Sequence, residues 1–248
     1  MLTRARGESE DLVEMLARLG AEVLHLPAIE IAPPADGAPV QATLAQVSRY
    51  AWVVFTSRNA VRALFDGLSA LDVRLPPTIS IAAVGEATAR ELNHRGVDVA
   101  CLPSAATASS LAESLIARGI DGARVLLPLG DRARRDVPDA LRAAGASVDE
   151  IVVYRTVTPA HSDPAALDAV ERGIADVVVF ASPSAVANLP GMLPSGVDAL
   201  RRVTAVCIGP TTGGAARDAG ISRVLIADRP ASDALLEVIL DACRAQTW

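Results

Sequence analysis

Short apolar runs alternate with helix-like stretches along the whole chain. Runs that are β-branched and bounded by Gly, Pro or Ser predict strands at Ala51–Phe55, Ile79–Val84, Val97–Leu102, Arg124–Pro128, Val148–Tyr154, Asp176–Phe180, Val203–Ile208 and Arg223–Ala227. Between them, helices are predicted at Glu8–Leu19, Asn59–Leu68, Thr88–Arg95, Ala108–Arg118, Asp131–Ala144, Ser184–Leu189, Thr212–Ala219 and Ser232–Arg244. Gly20, Gly96, Gly145 and Gly220 stand where helices of this kind stop. Strands apolar on both faces and separated by helices imply an α/β fold with parallel sheets.

The pattern occurs twice. Val53-Val54-Phe55-Thr56-Ser57 returns as Val178-Val179-Phe180-Ala181-Ser182, Val84-Gly85-Glu86-Ala87-Thr88 as Ile208-Gly209-Pro210-Thr211-Thr212, and Gly20-Ala21-Glu22-Val23 as Gly145-Ala146-Ser147-Val148. The shift of about 125 residues is a domain length, not a solenoid period. Two similar flavodoxin-like lobes are therefore expected, with a ligand cleft between them. Ile29–Pro39 and Val153–Pro164 are extended, proline-bearing stretches at equivalent places, and they suit the crossovers of a two-stranded linker. On that basis lobe 1 is discontinuous (residues 1–32 and 160–248), lobe 2 spans residues 36–155, and the linkers cover about 29–39 and 153–164.

Composition narrows the chemistry. The 248 residues allow two cores of ordinary size, and the formal charge of −6 argues against general nucleic-acid binding. Every basic side chain other than histidine is arginine. Without lysine there is no Schiff base, no lysine-anchored pyridoxal phosphate and no P-loop. Cys101, Cys207 and Cys243 are scattered, with neither disulfide nor metal spacing. The apolar run Val177–Val197 is broken by three prolines, and Met1–Arg6 lacks the apolar core of a signal peptide. A soluble cytoplasmic protein is expected.

No G-x-S-x-G, H-E-x-x-H, C-x-x-C or G-x-G-x-x-G is present, and His25, His94 and His161 are far apart. What recurs is a strand entering a small polar turn that opens a helix: Thr56-Ser57-Arg58, Ser182-Pro183-Ser184, Gly85 to Thr88, and Gly209 to Thr212. Thr3-Arg4 and Gly130-Asp131-Arg132 follow it more loosely. In an open parallel sheet such turns gather at the carboxyl edge, where ligands bind, and helix N-termini there favour anions. Taken singly, each serine or threonine also suits a simple helix cap. Two such turns per lobe, with arginines at 4, 6, 58 and 132, favour an anionic ligand.

Thr3-Arg4, Leu26-Pro27, Phe55-Thr56-Ser57 with Ala60-Val61, Val84-Gly85-x-x-Thr88, Val153-Tyr154-Arg155-Thr156, Phe180-x-Ser182-Pro183-Ser184 and Ile208-Gly209-Pro210-Thr211-Thr212 together resemble uroporphyrinogen-III synthase over essentially the whole chain. The resemblance implies two lobes on a two-stranded linker. It also implies cofactor-free cyclisation of hydroxymethylbilane, a linear tetrapyrrole, with inversion of its last ring. The expected enzyme is a monomeric lyase, needing no metal, nucleic acid or membrane, with hydroxymethylbilane synthase as a candidate supplier of substrate. Tyr154 matches the tyrosine of the family's V-Y-x-T stretch and is the expected proton donor; interlobe packing is its other role. Substrate contacts carried over by motif or turn are Thr3, Arg4, Ser57, Arg58, Gly85, Thr88, Arg132, Ser182, Ser184, Gly209, Thr211 and Thr212. This chain departs from the pattern in its short first strand, in Arg58 at a place often held by proline, and in Gly213-Gly214 after the last turn. A non-catalytic two-lobed binder of an anionic small molecule, or a regulatory relative, is the competing expectation.

Overall fold

A computed structural model describes residues 1–4 and 9–244. In chain order its elements are α1 (Glu10–Arg18), β1 (Glu30–Ala32), α2 (Ala38–Leu44), β2 (Trp52–Phe55), α3 (Arg58–Ala70), β3 (Ser80–Ala83), α4 (Glu86–His94), α5 (Ala108–Ile116), β4 (Arg124–Gly130) and α6 (Asp136–Ala143). There follow β5 (Ser147–Val157), α7 (Pro164–Glu171), β6 (Val177–Phe180), α8 (Pro183–Met192), α9 (Val197–Leu200), β7 (Thr204–Cys207), α10 (Pro210–Asp218), β8 (Arg223–Ile226) and α11 (Ser232–Arg244). The chain divides into two compact units, Met1–Glu30 with Val157–Trp248, and Ile31–Thr156. Both passages between units fall on strands that are neighbours in one sheet, β1 and β5.

In the continuous unit the sheet order is β1-β5-β4-β2-β3, and β2 pairs in parallel with β3 and β4, as β4 does with β5. Alternate residues of β2 feed two cores. Val53 and Phe55 join Leu64, Leu92 and Val153 on one face, while Trp52 and Val54 join Leu111, Leu115 and Leu141 on the other. A strand buried on both faces is thus covered by helices on both sides.

The discontinuous unit carries β6-β7-β8, all parallel, extended by two short segments. Leu2 bridges Val179 on one side and His25 on the other, both in parallel. Its sheet order is therefore His25 segment, Leu2 segment, β6, β7, β8. One repeat on, the Leu2–His25 bridge becomes the Leu127–Glu150 pair of β4 and β5. Helix ends repeat as well. Gly20 and Gly145 take φ of +80° and +87°, and the next amide in each case reaches back into the helix, Ala21 N to Leu16 O and Ala146 N to Leu141 O.

Several expectations change. The strand predicted at Val97–Leu102 is a single bridge between Cys101 and Ala82, and Pro103 supplies no N–H to continue a ladder. The helix predicted from Asp131 begins at Asp136, because Pro138 is tolerated only in a first turn. Asp131 and Arg132 form a turn instead, closed by Ala133 N donating to Gly130 O at 3.1 Å. Of the two stretches read as extended, Ile29–Pro39 holds β1 and ends in the first turn of α2, while Val153–Pro164 continues β5 as far as Val157 and ends at Pro164, which opens α7 behind an Asp163 cap whose carboxylate accepts from Ala165 N. Expectations for Arg6 and Glu8 lie outside the described residues.

Candidate active site

In the continuous unit, the four parallel strands β2 to β5 deliver their carboxyl ends to one edge. Ser57 follows β2, Gly85 follows β3, Gly130 ends β4 and Tyr154 lies near the end of β5. Ser57 has extended backbone (φ −153°, ψ 154°), and its Oγ accepts from Ala60 N at 3.1 Å, capping α3. The same Oγ lies 3.2 Å from the phenol oxygen of Tyr154. Because the cap fixes one lone pair, the hydroxyl hydrogen of Ser57 is available to point at that phenol oxygen. Arg58 is the first residue of α3 and is exposed. A cation there opposes the helix dipole.

Tyr154 is half-buried and packs against the face formed by Val153, Phe55 and Leu64. Between Leu129 and Gly130 the β4–β5 register shifts, so that Leu129 faces Val152 but Gly130 faces Tyr154. Asp131 N donates to Tyr154 O at 3.1 Å, and Asp131 Oδ1 accepts from Thr156 N at 2.9 Å. Arg132 is exposed in the turn that follows. Gly85 precedes α4 with no side-chain cap, and Thr88, in the first turn, is 5% exposed.

The other unit repeats this edge with different chemistry. Ser182 matches Ser57 (φ −158°, ψ 154°), its Oγ accepting from Ala185 N at 3.2 Å. Ser184 is half-buried in the first turn of α8. Gly209 precedes α10 without a side-chain cap; Thr211 is exposed and Thr212 is 3% exposed. Thr3 is 1% exposed and its hydroxyl donates to Val179 O at 2.7 Å, so its side chain serves the sheet and is not presented to a ligand. Arg4 follows it. The repeat equivalent of Tyr154 is Ile29, so no phenol meets Ser182.

The sequence pointed to Ser57 and Tyr154 separately, and the fold brings them together. Gly130 and Asp131 carry no separate signal in the sequence beyond the Gly130-Asp131-Arg132 turn, in which the arginine is the residue that suits an anion. Among the described residues no group of three or more His, Cys, Asp or Glu side chains is placed to hold a metal ion, and no helix is long and apolar enough to cross a membrane.

Residues 10–237 match the family described as HEM4, uroporphyrinogen-III synthase HemD. A uroporphyrinogen-III synthase of Synechococcus elongatus is 31% identical over 219 residues, covering 86% of this chain and 83% of that protein. The chloroplastic uroporphyrinogen-III synthase of Oryza sativa is 30% identical over 254 residues, covering 99% of this chain and 80% of the relative. A crystal structure of a mutant uroporphyrinogen III synthase from Thermus thermophilus superposes with a TM-score of 0.64 at 20% identity, over 99% of this chain and 98% of the other, which supports the fold. With matching turns, a matching α/β fold and a profile spanning most of its length, the chain belongs to the uroporphyrinogen-III synthase family.

Proposed function

We propose that this chain converts hydroxymethylbilane to uroporphyrinogen III, inverting the last ring, in tetrapyrrole biosynthesis. Family membership supports the activity. The observation that carries the site is the Tyr154 phenol 3.2 Å from the capped Ser57 hydroxyl at the carboxyl edge of a parallel sheet. The reaction begins with loss of the bilane's terminal hydroxyl. The Tyr154 O–H gives its proton to that oxygen, the C–O bond breaks and water leaves, giving an azafulvene-like electrophile. Ser57 O–H donates to the phenolate oxygen that results. Attack by the far pyrrole, spiro formation, fragmentation and reclosure release one carbon-bound proton, which restores the phenol. Net, one water is lost.

The remaining task is to hold a flexible polycarboxylate in the reactive fold. In the continuous unit, the helix start after Gly85, which no side chain caps, offers amides to carboxylates, and Arg58 and Arg132 carry guanidinium groups at the same sheet edge; in the other unit the start after Gly209 and Arg4 stand at the equivalent edge. Arg58, unfavourable at a helix start on its own, is accounted for by an anion beside it. Ser184 and Thr211 carry hydroxyls at the equivalent edge of the other unit, while Thr88 and Thr212 are buried in the first turns of α4 and α10. Substrate supply by hydroxymethylbilane synthase and action as a monomer in the cytoplasm belong to the same proposal.

The test is to supply freshly generated hydroxymethylbilane without added cofactor and separate the isomers by chromatography. Type III beyond the spontaneous type I product is expected. Type I alone would leave a binder of anionic small molecules.

A further inference from the structure

A glycine ends β4 where nothing in its own backbone calls for one. Gly130 does not have a positive φ, so any residue could adopt its conformation. What excludes a side chain is Tyr154. A Cβ built on Gly130 would lie 2.5 Å from Tyr154 Cζ, 2.7 Å from Cε2 and 2.7 Å from the phenol oxygen, so close that the ring, the far end of its side chain, would have to shift. The phenol therefore occupies the volume of the missing side chain.

Two further features hold it there. The register shift sets Tyr154 directly against Gly130, where an unshifted ladder would place Val153. Asp131 then ties the strand just after the ring at two points, its N–H to Tyr154 O and its carboxylate to Thr156 N. With the backbone fixed and the volume over residue 130 open, the phenol oxygen comes within hydrogen-bond reach of Ser57 Oγ.

We propose that Gly130 and Asp131 are positioning residues for Tyr154: the absent side chain at 130 admits the phenol to its place beside Ser57, and the Asp131 carboxylate fixes the backbone that carries it. This rests on the reading of Tyr154 as proton donor, and it makes a claim about the ring's position that can be checked without turnover. An alanine at 130 must displace the ring or itself, and a shift of an ångström in a proton donor is enough to slow the chemistry.

The experiment combines 3-fluorotyrosine labelling with kinetics. The chain has two tyrosines, so the Tyr154 fluorine resonance is assigned by its loss in Tyr154→Phe. Gly130→Ala is expected to move that resonance and to lower kcat about tenfold with KM within about twofold. In a Tyr154→Ala background, where the ring is gone, the same substitution is expected to change kcat by less than about twofold. Asp131→Ala is expected to lower kcat several-fold, whereas Asp131→Asn, which can still accept from Thr156 N, retains most of it. Circular dichroism checks that each variant folds; should Gly130→Ala not fold, the double variant with Tyr154→Ala is expected to do so. An unmoved resonance in Gly130→Ala, equal losses with and without the ring, or misfolding that persists in the double variant would overturn the proposal. If the resonance moves but neither Gly130→Ala nor Tyr154→Phe changes kcat, the positioning stands and the proton-donor reading falls.

Discussion

The two units of this chain share a strand order, a register and a pair of turns, yet they differ at both edges of their sheets. At the carboxyl edge Ser57 and Ser182 cap their helices with nearly the same backbone angles, but only Ser57 meets a phenol. At the amino edge the contrast is one of packing. In the continuous unit Tyr50, 3% exposed, donates its hydroxyl to Asp149 Oδ2 at 2.8 Å. Arg49 and Arg124 lie over its ring at 5.3 and 5.5 Å and pair with the same carboxylate. The repeat places Ala175 at the Tyr50 position and Leu24 at that of Asp149. There the discontinuous unit has a cavity of about 340 Å³ lined by Leu24, Ala175, Asp176, Ile239 and Cys243 among others. A duplicated scaffold thus keeps its turns while its two edges diverge, one toward chemistry and one in how the core is closed.

Four experiments put this divergence to the test, the largest effect first. Tyr50→Ala removes the plug that Ala175 lacks, and is expected to cost about 3 kcal/mol. Urea denaturation reads this as a lower midpoint at unchanged slope; an unchanged midpoint would mean the edge is not closed by that ring. Next comes the carboxyl edge. Tyr154→Phe should lower kcat about ten- to a hundredfold while the denaturation midpoint stays put. Ser57→Ala and Ser182→Ala should each cost about 1 kcal/mol as lost caps, but only the former should slow turnover by several-fold. Equal kinetic losses in the two serine variants would erase the asymmetry.

The third experiment concerns α10. A Cβ on Gly213 would run into the side chain of Ile226 on β8, whereas one on Gly214 would meet nothing. Gly213→Ala is expected to destabilise by about 1–2 kcal/mol and Gly214→Ala to stabilise by up to about 1 kcal/mol. The repeat equivalent of Gly213 is Ala89 in α4, whose sheet has only the Cys101 bridge where the other has β8. Thermal melts that rank the two alanines the other way would remove close helix–strand approach as the reason for the glycine.

The smallest effect is electrostatic. The Arg124 guanidinium, with help from Tyr50 and Arg49 against the cost of burial, holds the Asp149 carboxyl below its usual range. A carboxylate with a lowered folded pKa stabilises fully above its unfolded pKa of about 3.9, and that stability is lost as pH falls through the lower folded value. The side chain is 34% exposed, so solvent screening limits its contribution to stability to about 1 kcal/mol. Asp149→Asn should therefore be less stable than the parent at pH 7, and the gap should close as the solution is acidified below about pH 4. A gap constant with pH would assign the loss to hydrogen bonding alone.

Much of this was legible in the sequence. β2 and β6 announced themselves as short β-branched runs, because a strand buried on both faces has no polar position to disguise it, and β3 and β7 as short runs, mostly apolar, that lead into matching turns. Ser57, Ser182, Gly85 and Gly209 were visible as repeats of one local chemistry. Harder to see were features that depend on a neighbour distant in sequence. α7 begins at the last residue of the stretch read as extended, and no helix was expected over its remaining residues. The Cys101 segment looked like a strand by composition but failed to extend its ladder. Thr3 looked like a ligand contact until its hydroxyl was found on Val179 O.

Local pattern was enough to establish the α/β class, the repeat and its register, the turns, and the family to which they belong. Each is set at short range, by side-chain period, cap chemistry and the spacing of two similar segments. It took the folded chain to reveal that Tyr154 meets Ser57, that its ring fills the space a side chain on Gly130 would need, and that Tyr50 closes one amino edge while Ala175 leaves the other open. These depend on which side chains two separate strands place in the same few cubic ångströms. Volume exclusion and hydrogen-bond geometry of that kind leave little trace in local sequence.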